Sequence, residues 1–197
     1  MDAVEALIIA NVLCFIITLV NPEFILDNFA LIPVEILEKP WGIVTSMFLH
    51  AGFNHILFNM IALFFFGLYL KRVIGENEFL KVYLIGGICS GIFTVITSFI
   101  GLTDLNISVV GASGAIFAVG ATLAILRPNL QVVLFPIPIP MPLYIAVFGF
   151  MLILSFMPGI SWSGHLGGLL TGMIFGYYFK RKGLGLESYG VYSWYRY

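Results

Sequence analysis

Charged positions in this chain are gathered into short stretches, and long apolar runs lie between them. The run at 3–20 has one charge, Glu5, near its start, and Ile56–Leu70 has none. Helical runs of this kind are how a chain crosses a bilayer. Six are expected as spans, at 3–20, 52–70, 79–100, 113–126, 142–157 and 164–179. Several fall short of the roughly 20 residues that cross the hydrocarbon layer untilted. The fourth, from Ser113 to the break at Arg127-Pro128, covers only about 21 Å at a rise of 1.5 Å per residue. One of its ends is expected to stop inside the membrane. The expected fold class is therefore all-α, a polytopic bundle of six transmembrane helices with a short fourth helix. It forms one domain at 1–182, followed by an aromatic-rich cytoplasmic or interfacial tail at 183–197.

The connections differ in character. Residues 21–50 form a long, partly apolar loop carrying Glu23, Asp27, Glu35, Glu38 and Lys39. Residues 128–142 carry Pro128, Pro136, Pro138, Pro140 and Pro142; proline fixes φ and removes a donor, so this stretch is expected to be extended. Orientation follows from the basic residues. Lys71, Arg72 and Lys81 flank the second loop, Arg127 opens the fourth, and Lys180, Arg181, Lys182 and Arg196 follow the last span. Under six spans these fall on one side, and only Lys39 falls on the other. The positive-inside rule then places both termini in the cytoplasm and the first, third and fifth loops outside. The cell membrane is the expected location.

Composition narrows the function. Of 197 residues, 60% are apolar and 10% are charged, against about 25% charged in a soluble domain. A net charge of -1 with no basic stripe speaks against nucleic acid. Cys14 and Cys89 make neither a disulfide framework nor a zinc site. Met1-Asp2-Ala3-Val4-Glu5 lacks the basic n-region of a cleaved signal peptide, so the first run is expected to be retained. No acid lies mid-span, which argues against a protease using two buried aspartates, and no His-Glu-x-x-His motif occurs, which argues against a membrane zinc protease. No metal and no cofactor are expected.

Polar residues within spans are expensive and so become functional candidates. Gly111-Ala112-Ser113-Gly114 opens the short fourth span. Small residues there suit helix packing; equally, a serine at a helix start lies where unpaired N–H groups and the dipole favour a developing negative charge. His165 opens the sixth span and could be a base, a pore residue or an interfacial hydrogen-bonder. Gly164, Gly168, Gly172 and Gly176 recur every four residues behind it, making a groove that admits another helix. The stripe Ser113, Phe117, Gly120 and Ala124 on the fourth span is the expected partner. Both spans run from outside to inside, so Ser113 and His165 start at similar depth. A serine hydroxyl needs a nearby base, and with no carboxylate available to orient the histidine the pair would be a dyad. His55 and Asn59, at i and i+4 of the second span, reach the same layer. They could donate to an oxyanion or simply anchor a loop. His50 is expected to pack within the loop.

Together these residues resemble the rhomboid family. Gly111-Ala112-Ser113-Gly114 matches its Gly-x-Ser-Gly, His165 to Gly172 its His-x-x-Gly-x-x-x-Gly, and His55 to Asn59 its His-x-x-x-Asn. The resemblance covers 52–180. It implies a six-helix serine endopeptidase that cuts transmembrane protein substrates within the bilayer, without cofactor or metal. Ser113 would be the nucleophile and His165 the general base. His55, Asn59 and the Ser113 N–H would form the oxyanion hole. Phe117 would pack on the histidine, with Gly111, Gly114, Gly168 and Gly172 as structural support. The loop at 157–163 resembles the cap over the site, and the fifth span the lateral gate. One departure is that Trp41 is followed by Gly42, where many members carry Trp-Arg. Two rivals stand beside this reading. One is a rhomboid-like binder of membrane proteins that does not cut. The other is a small channel or transporter, which would distribute its polar groups to both sides of the membrane.

Overall fold

A computed structural model of the chain describes residues 1–134, 137–157 and 159–184; most of the tail expected at 183–197 lies outside them. The described chain is mostly helical. Helix α1 runs Ala3–Val20, α2 Pro22–Phe29, α3 Gly42–Thr45, α4 Phe53–Ile74, α5 Glu76–Phe99 and α6 Ser113–Leu126. Strands β1 (Gln131–Leu134) and β2 (Ile137–Pro142) follow. Then come α7 (Leu143–Ile145), a π-helical stretch over Ala146–Met151, α8 (Leu152–Leu154) and α9 (Trp162–Arg181). Among the described residues, three helices (α1, α4 and α5) are long and apolar enough to cross a membrane. Helix α6 is apolar but has 14 residues. On α1, Ile9, Leu13, Ile16 and Ile17 are exposed, an apolar outer face suited to lipid.

Local chemistry explains where elements start and stop. Asp2 caps α1, accepting the Val4 N–H, while Glu5 reaches back to the Asp2 N–H in a capping box. Asp2 also pairs with Lys71, and that partner holds its carboxyl below the usual range. Lys71 and Arg72, expected to flank the second loop, lie within the last turn of α4, beyond the span bound expected at 70. Cations there complement the helix dipole, so the helix outlasts the apolar run and ends at Gly75, whose φ is +87°. The first loop is folded too. Three carbonyls at the end of α2 have lost their helical partners, and side chains from across the loop replace them. Lys39 donates to Asp27, the Trp41 indole to Asn28, and Thr45 to Phe29. A side chain at Gly42 would strike the Ala30 carbonyl oxygen, 2.8 Å from where its Cβ would stand. Of the proline-rich stretch, β1 and β2 are extended and pair antiparallel with Val132 opposite Met141, Pro128 lies in a turn instead, and Pro136 falls outside the described residues. Pro138, Pro140 and Pro142 alternate, so their missing N–H groups share one edge of β2 and the N–H groups of Ile139 and Met141 share the other.

Helix α6 sits at the centre, with its residues from Gly114 to Ala124 all buried. Its neighbours approach to backbone distance because both sides are small. A Cβ on Gly168 or Gly172 would overlap the carbonyl oxygens of Gly114 and Ala118 of α6. One on Gly86 of α5 would overlap the Ala118 side chain from the other flank. Lipid tails are as apolar as leucine, so close packing of this kind, and not burial from water, holds membrane helices together. Thr122 adds a hydrogen bond to the Gly172 carbonyl at 3.0 Å. The face of α6 turned to α9 is thus Gly114, Ala118, Thr122 and Ile125. The stripe inferred from sequence points elsewhere in its lower half, since Gly120 faces Val147 and Phe66.

Candidate active site

Ser113 is the first residue of α6. It is delivered there by Gly111, whose φ of +129° is favoured only for glycine. His165 lies in the first turn of α9, which Ser161 caps by accepting the Gly164 N–H. Because Gly168, a turn beyond His165, meets the backbone of Gly114, next to Ser113, the first turns of α6 and α9 are held close. Ser113 Oγ and His165 Nε2 are 2.8 Å apart, a hydrogen bond of ordinary length. The Phe117 ring, four residues along α6, stacks on the imidazole with centroids 4.2 Å apart and planes 18° from parallel.

His55 and Asn59 are in the first turns of α4. His55 lies against the loop before Ser113: a Cβ on Gly111 would stand 2.8 Å from both its Cε1 and Nε2. His55 Nδ1 accepts the Ala51 N–H at 3.3 Å. In the neutral ring the proton is then on Nε2, the atom that faces Gly111. Asn59 is buried and gives one amide hydrogen to the His55 carbonyl at 2.9 Å; a primary amide has a second. His50 is almost wholly buried and stands edge-on to His55 with centroids 5.0 Å apart. Burial, with the His55 ring adding to it, pushes the His50 pKa down to about 4. His50 therefore packs as a neutral ring. Among the described residues no three His, Cys, Asp or Glu side chains gather where a metal ion could be held.

One residue here has no counterpart in the sequence reading. Ser155, just after α8, is buried, and its Oγ lies 2.7 Å from His165 Nδ1. The absence of a nearby carboxylate pointed to a histidine with no orienting partner, yet a hydroxyl occupies that place. The available signal was a polar residue late in an apolar run, which the cost of polarity in a membrane marks for attention. Gly164 also behaves differently from the other glycines of α9. Its surroundings are Ser90 and Thr94 of α5, and Ser90 donates to its carbonyl at 2.7 Å.

Comparison with known proteins agrees with the motifs. The rhomboid domain family matches residues 37–182. The chain is 33% identical to Rhomboid protease GluP of Bacillus subtilis over 78% of its own length and 28% of that protein's. It is 32% identical to RHOMBOID-like protein 12, mitochondrial, of Arabidopsis thaliana over 88% of its length and 57% of the relative's. It is 30% identical to Rhomboid protease AarA of Providencia stuartii over 68% of its length and 54% of the relative's. The chain thus spans little more than half of these relatives, or less. With the domain match covering most of its length and its apolar helices suited to a bilayer, this chain is a membrane protein of the rhomboid family.

Proposed function

We propose that this chain is an intramembrane serine endopeptidase that cuts peptide bonds in or near the transmembrane segments of other membrane proteins. The observation that carries the reading is the 2.8 Å separation of Ser113 Oγ and His165 Nε2. Ser113 attacks the scissile carbonyl carbon as its proton passes to Nε2. The tetrahedral intermediate collapses to an acyl-enzyme, and His165 returns the proton to the leaving amine. Water, deprotonated by the same nitrogen, then releases the acyl group and restores Ser113. The oxyanion is held by the Ser113 N–H, by Nε2–H of His55 and by the second amide hydrogen of Asn59. These donors gain strength as charge develops. No metal or cofactor enters the scheme.

In this reading residues 1–182 form a six-span unit in the cell membrane, with both termini cytoplasmic, and the short α6 carries the nucleophile. The site opens toward the outer face, where a polar recess can hold the water that hydrolysis needs. Support comes from the distribution of Lys and Arg and from the names of relatives such as Rhomboid protease GluP and Rhomboid protease AarA. A fluorophosphonate should label Ser113 in the intact protein. Ser113→Ala should abolish both labelling and cleavage of a single-span test substrate, while the protein still folds. Loss of a nucleophile costs several orders of magnitude in rate, so cleavage by Ser113→Ala within tenfold of wild type would sink the assignment.

A further inference from the structure

A serine–histidine pair works only when the nitrogen facing the serine has a free lone pair, and the surroundings of His165 decide which nitrogen that is. We propose that Ser155 is a positioning residue that holds His165 in its Nδ1-protonated tautomer; this rests on the Ser113–His165 reading above and extends it. Ser155 Oγ lies 2.7 Å from His165 Nδ1 and donates to the Met151 carbonyl at 2.8 Å. A hydroxyl has one hydrogen and a carbonyl has none. With that hydrogen committed to Met151, Ser155 can only accept from Nδ1. Nδ1 must then carry the single proton of the neutral ring, and Nε2 is left bare toward Ser113 Oγ at 2.8 Å. Ser113 in turn must donate. Each link in the series Ser113, His165, Ser155, Met151 has one donor and one acceptor, all pointing the same way.

The opposite tautomer breaks this order. With the proton on Nε2, the bare Nδ1 needs a donor, and Ser155 would have to turn its hydrogen away from Met151. The backbone amides that could replace it there, at i+4 and i+5, are directed elsewhere: Ser155 N–H bonds the Leu152 carbonyl and Phe156 N–H the Ile153 carbonyl. Ser155 is 1% exposed, so its hydroxyl bonds within the protein, and turning it to Nδ1 would leave the Met151 carbonyl without this donor. The bond also has catalytic sense. When Nε2 takes the serine proton the ring becomes a cation, and a donor–acceptor pair with one ionised member is stronger than a neutral one. Phe117 fixes the plane of the ring and Ser155 fixes its edge.

The test uses the full chain in lipid nanodiscs with its histidines labelled with nitrogen-15, near pH 8, where an unperturbed imidazole is neutral. The His165 signals are assigned by their loss in His165→Asn. In the wild type the ring proton should be on Nδ1. In Ser155→Ala it should move to Nε2 in a substantial fraction of molecules, and kcat should fall about tenfold, the worth of one hydrogen bond, with KM within about twofold. An Nε2-protonated wild type overturns the proposal even if Ser155→Ala does not fold. So does a folded Ser155→Ala protein with the wild-type tautomer and wild-type kcat. The nuclear readout needs no activity, which keeps the two readings apart. An Nδ1-protonated wild type that no fluorophosphonate labels sinks the protease assignment and leaves the Ser155 contact standing. A labelled, active wild type protonated on Nε2 does the reverse.

Discussion

Two supports converge on His165, and they are built by opposite means. From one side come α6 and α9, regular helices whose glycines bring backbone against backbone, with Gly168 on the Gly114 carbonyl and Gly172 on that of Ala118. From the other comes the segment 143–155, in which two helical turns flank a π-helical stretch and the Ser155 hydroxyl reaches His165. The contrast separates two requirements. The distance between Ser113 and His165 is set by contacts that have no freedom, because a carbonyl oxygen cannot rotate aside as a side chain can. The orientation of the imidazole is set by softer means, a stacked ring and a serine on an irregular segment. If so, substitutions at the helix contact should be far more damaging than equal ones in the segment.

The largest effect should follow from Gly168→Val. Its β-branched side chain would need the space filled by the Gly114 carbonyl group. Either α9 moves away or the protein fails to fold, since forcing extra volume into a packed site costs about 1–3 kcal/mol where neighbours can adjust and more where they cannot. A displacement of about 1 Å at the proposed Ser113–His165 pair would cost roughly a hundredfold in rate. Cleavage and thermal unfolding of Gly168→Val, with Gly172→Val beside it, would measure this. A stable and fully active Gly168→Val protein contradicts the rigid half of the comparison.

How much of this was legible in the sequence follows the same division. The apolar runs announced α1, α4 and α5, because uninterrupted apolarity has few other uses. The shared direction expected of the fourth and sixth spans put Ser113 and His165 at one level, and the structure has them 2.8 Å apart. The packing face of α6 was harder, because nearly every residue on it is small or apolar and buried. With no polar side to define the buried one, periodicity could not separate the Gly120 stripe from that of Gly114, Ala118 and Thr122. The sequence marked Ser155 as a polar residue in an apolar run, but its partner was hidden for another reason. Its partner is a ring nitrogen reached through an irregular turn, and no spacing rule covers that geometry. Gly42 shows a departure from the family pattern acquiring a reason. The position lies against the Ala30 backbone, and the loop is held by Lys39, Trp41 and Thr45 on the end of α2.

A middle-sized effect should come from Phe117→Leu, which tests the softer constraint from the helix side. Leucine keeps an apolar side chain of comparable bulk, so stability should change by less than about 1.5 kcal/mol. What is lost is the flat face on which the imidazole rests, 4.2 Å between centroids. A ring pair of this kind is worth about 0.5–1.5 kcal/mol beyond its area, so kcat should drop roughly two- to tenfold with KM little changed. Phe117→Tyr keeps the ring and should stay close to wild type. Equal losses in the two variants would show that the stack does not hold the histidine.

The smallest effect should be that of Gly149→Ala, and it is the sharpest test of the contrast. Gly149 and Gly168 are both glycines in helical segments beside the site, so sequence alone gives no reason to treat them differently. Their surroundings do. Among the described residues a Cβ at Gly149 would meet the Cγ2 of Ile145 alone, at 3.8 Å, an ordinary van der Waals contact, and its φ is not positive. Alanine there therefore meets no obstacle. It should also favour helical backbone, by up to about 1 kcal/mol in an open helix interior, partly through reduced freedom of the unfolded chain. The expected outcome is cleavage within about twofold of wild type and a thermal midpoint unchanged or slightly raised. Gly168→Ala belongs beside it as the matched comparison, since the same single methyl is added where the Gly114 carbonyl already stands. Comparable losses in the two alanine variants would mean that the π-helical segment is as tightly constrained as the α6–α9 contact, and the division between a rigid distance and a soft orientation would have to be given up.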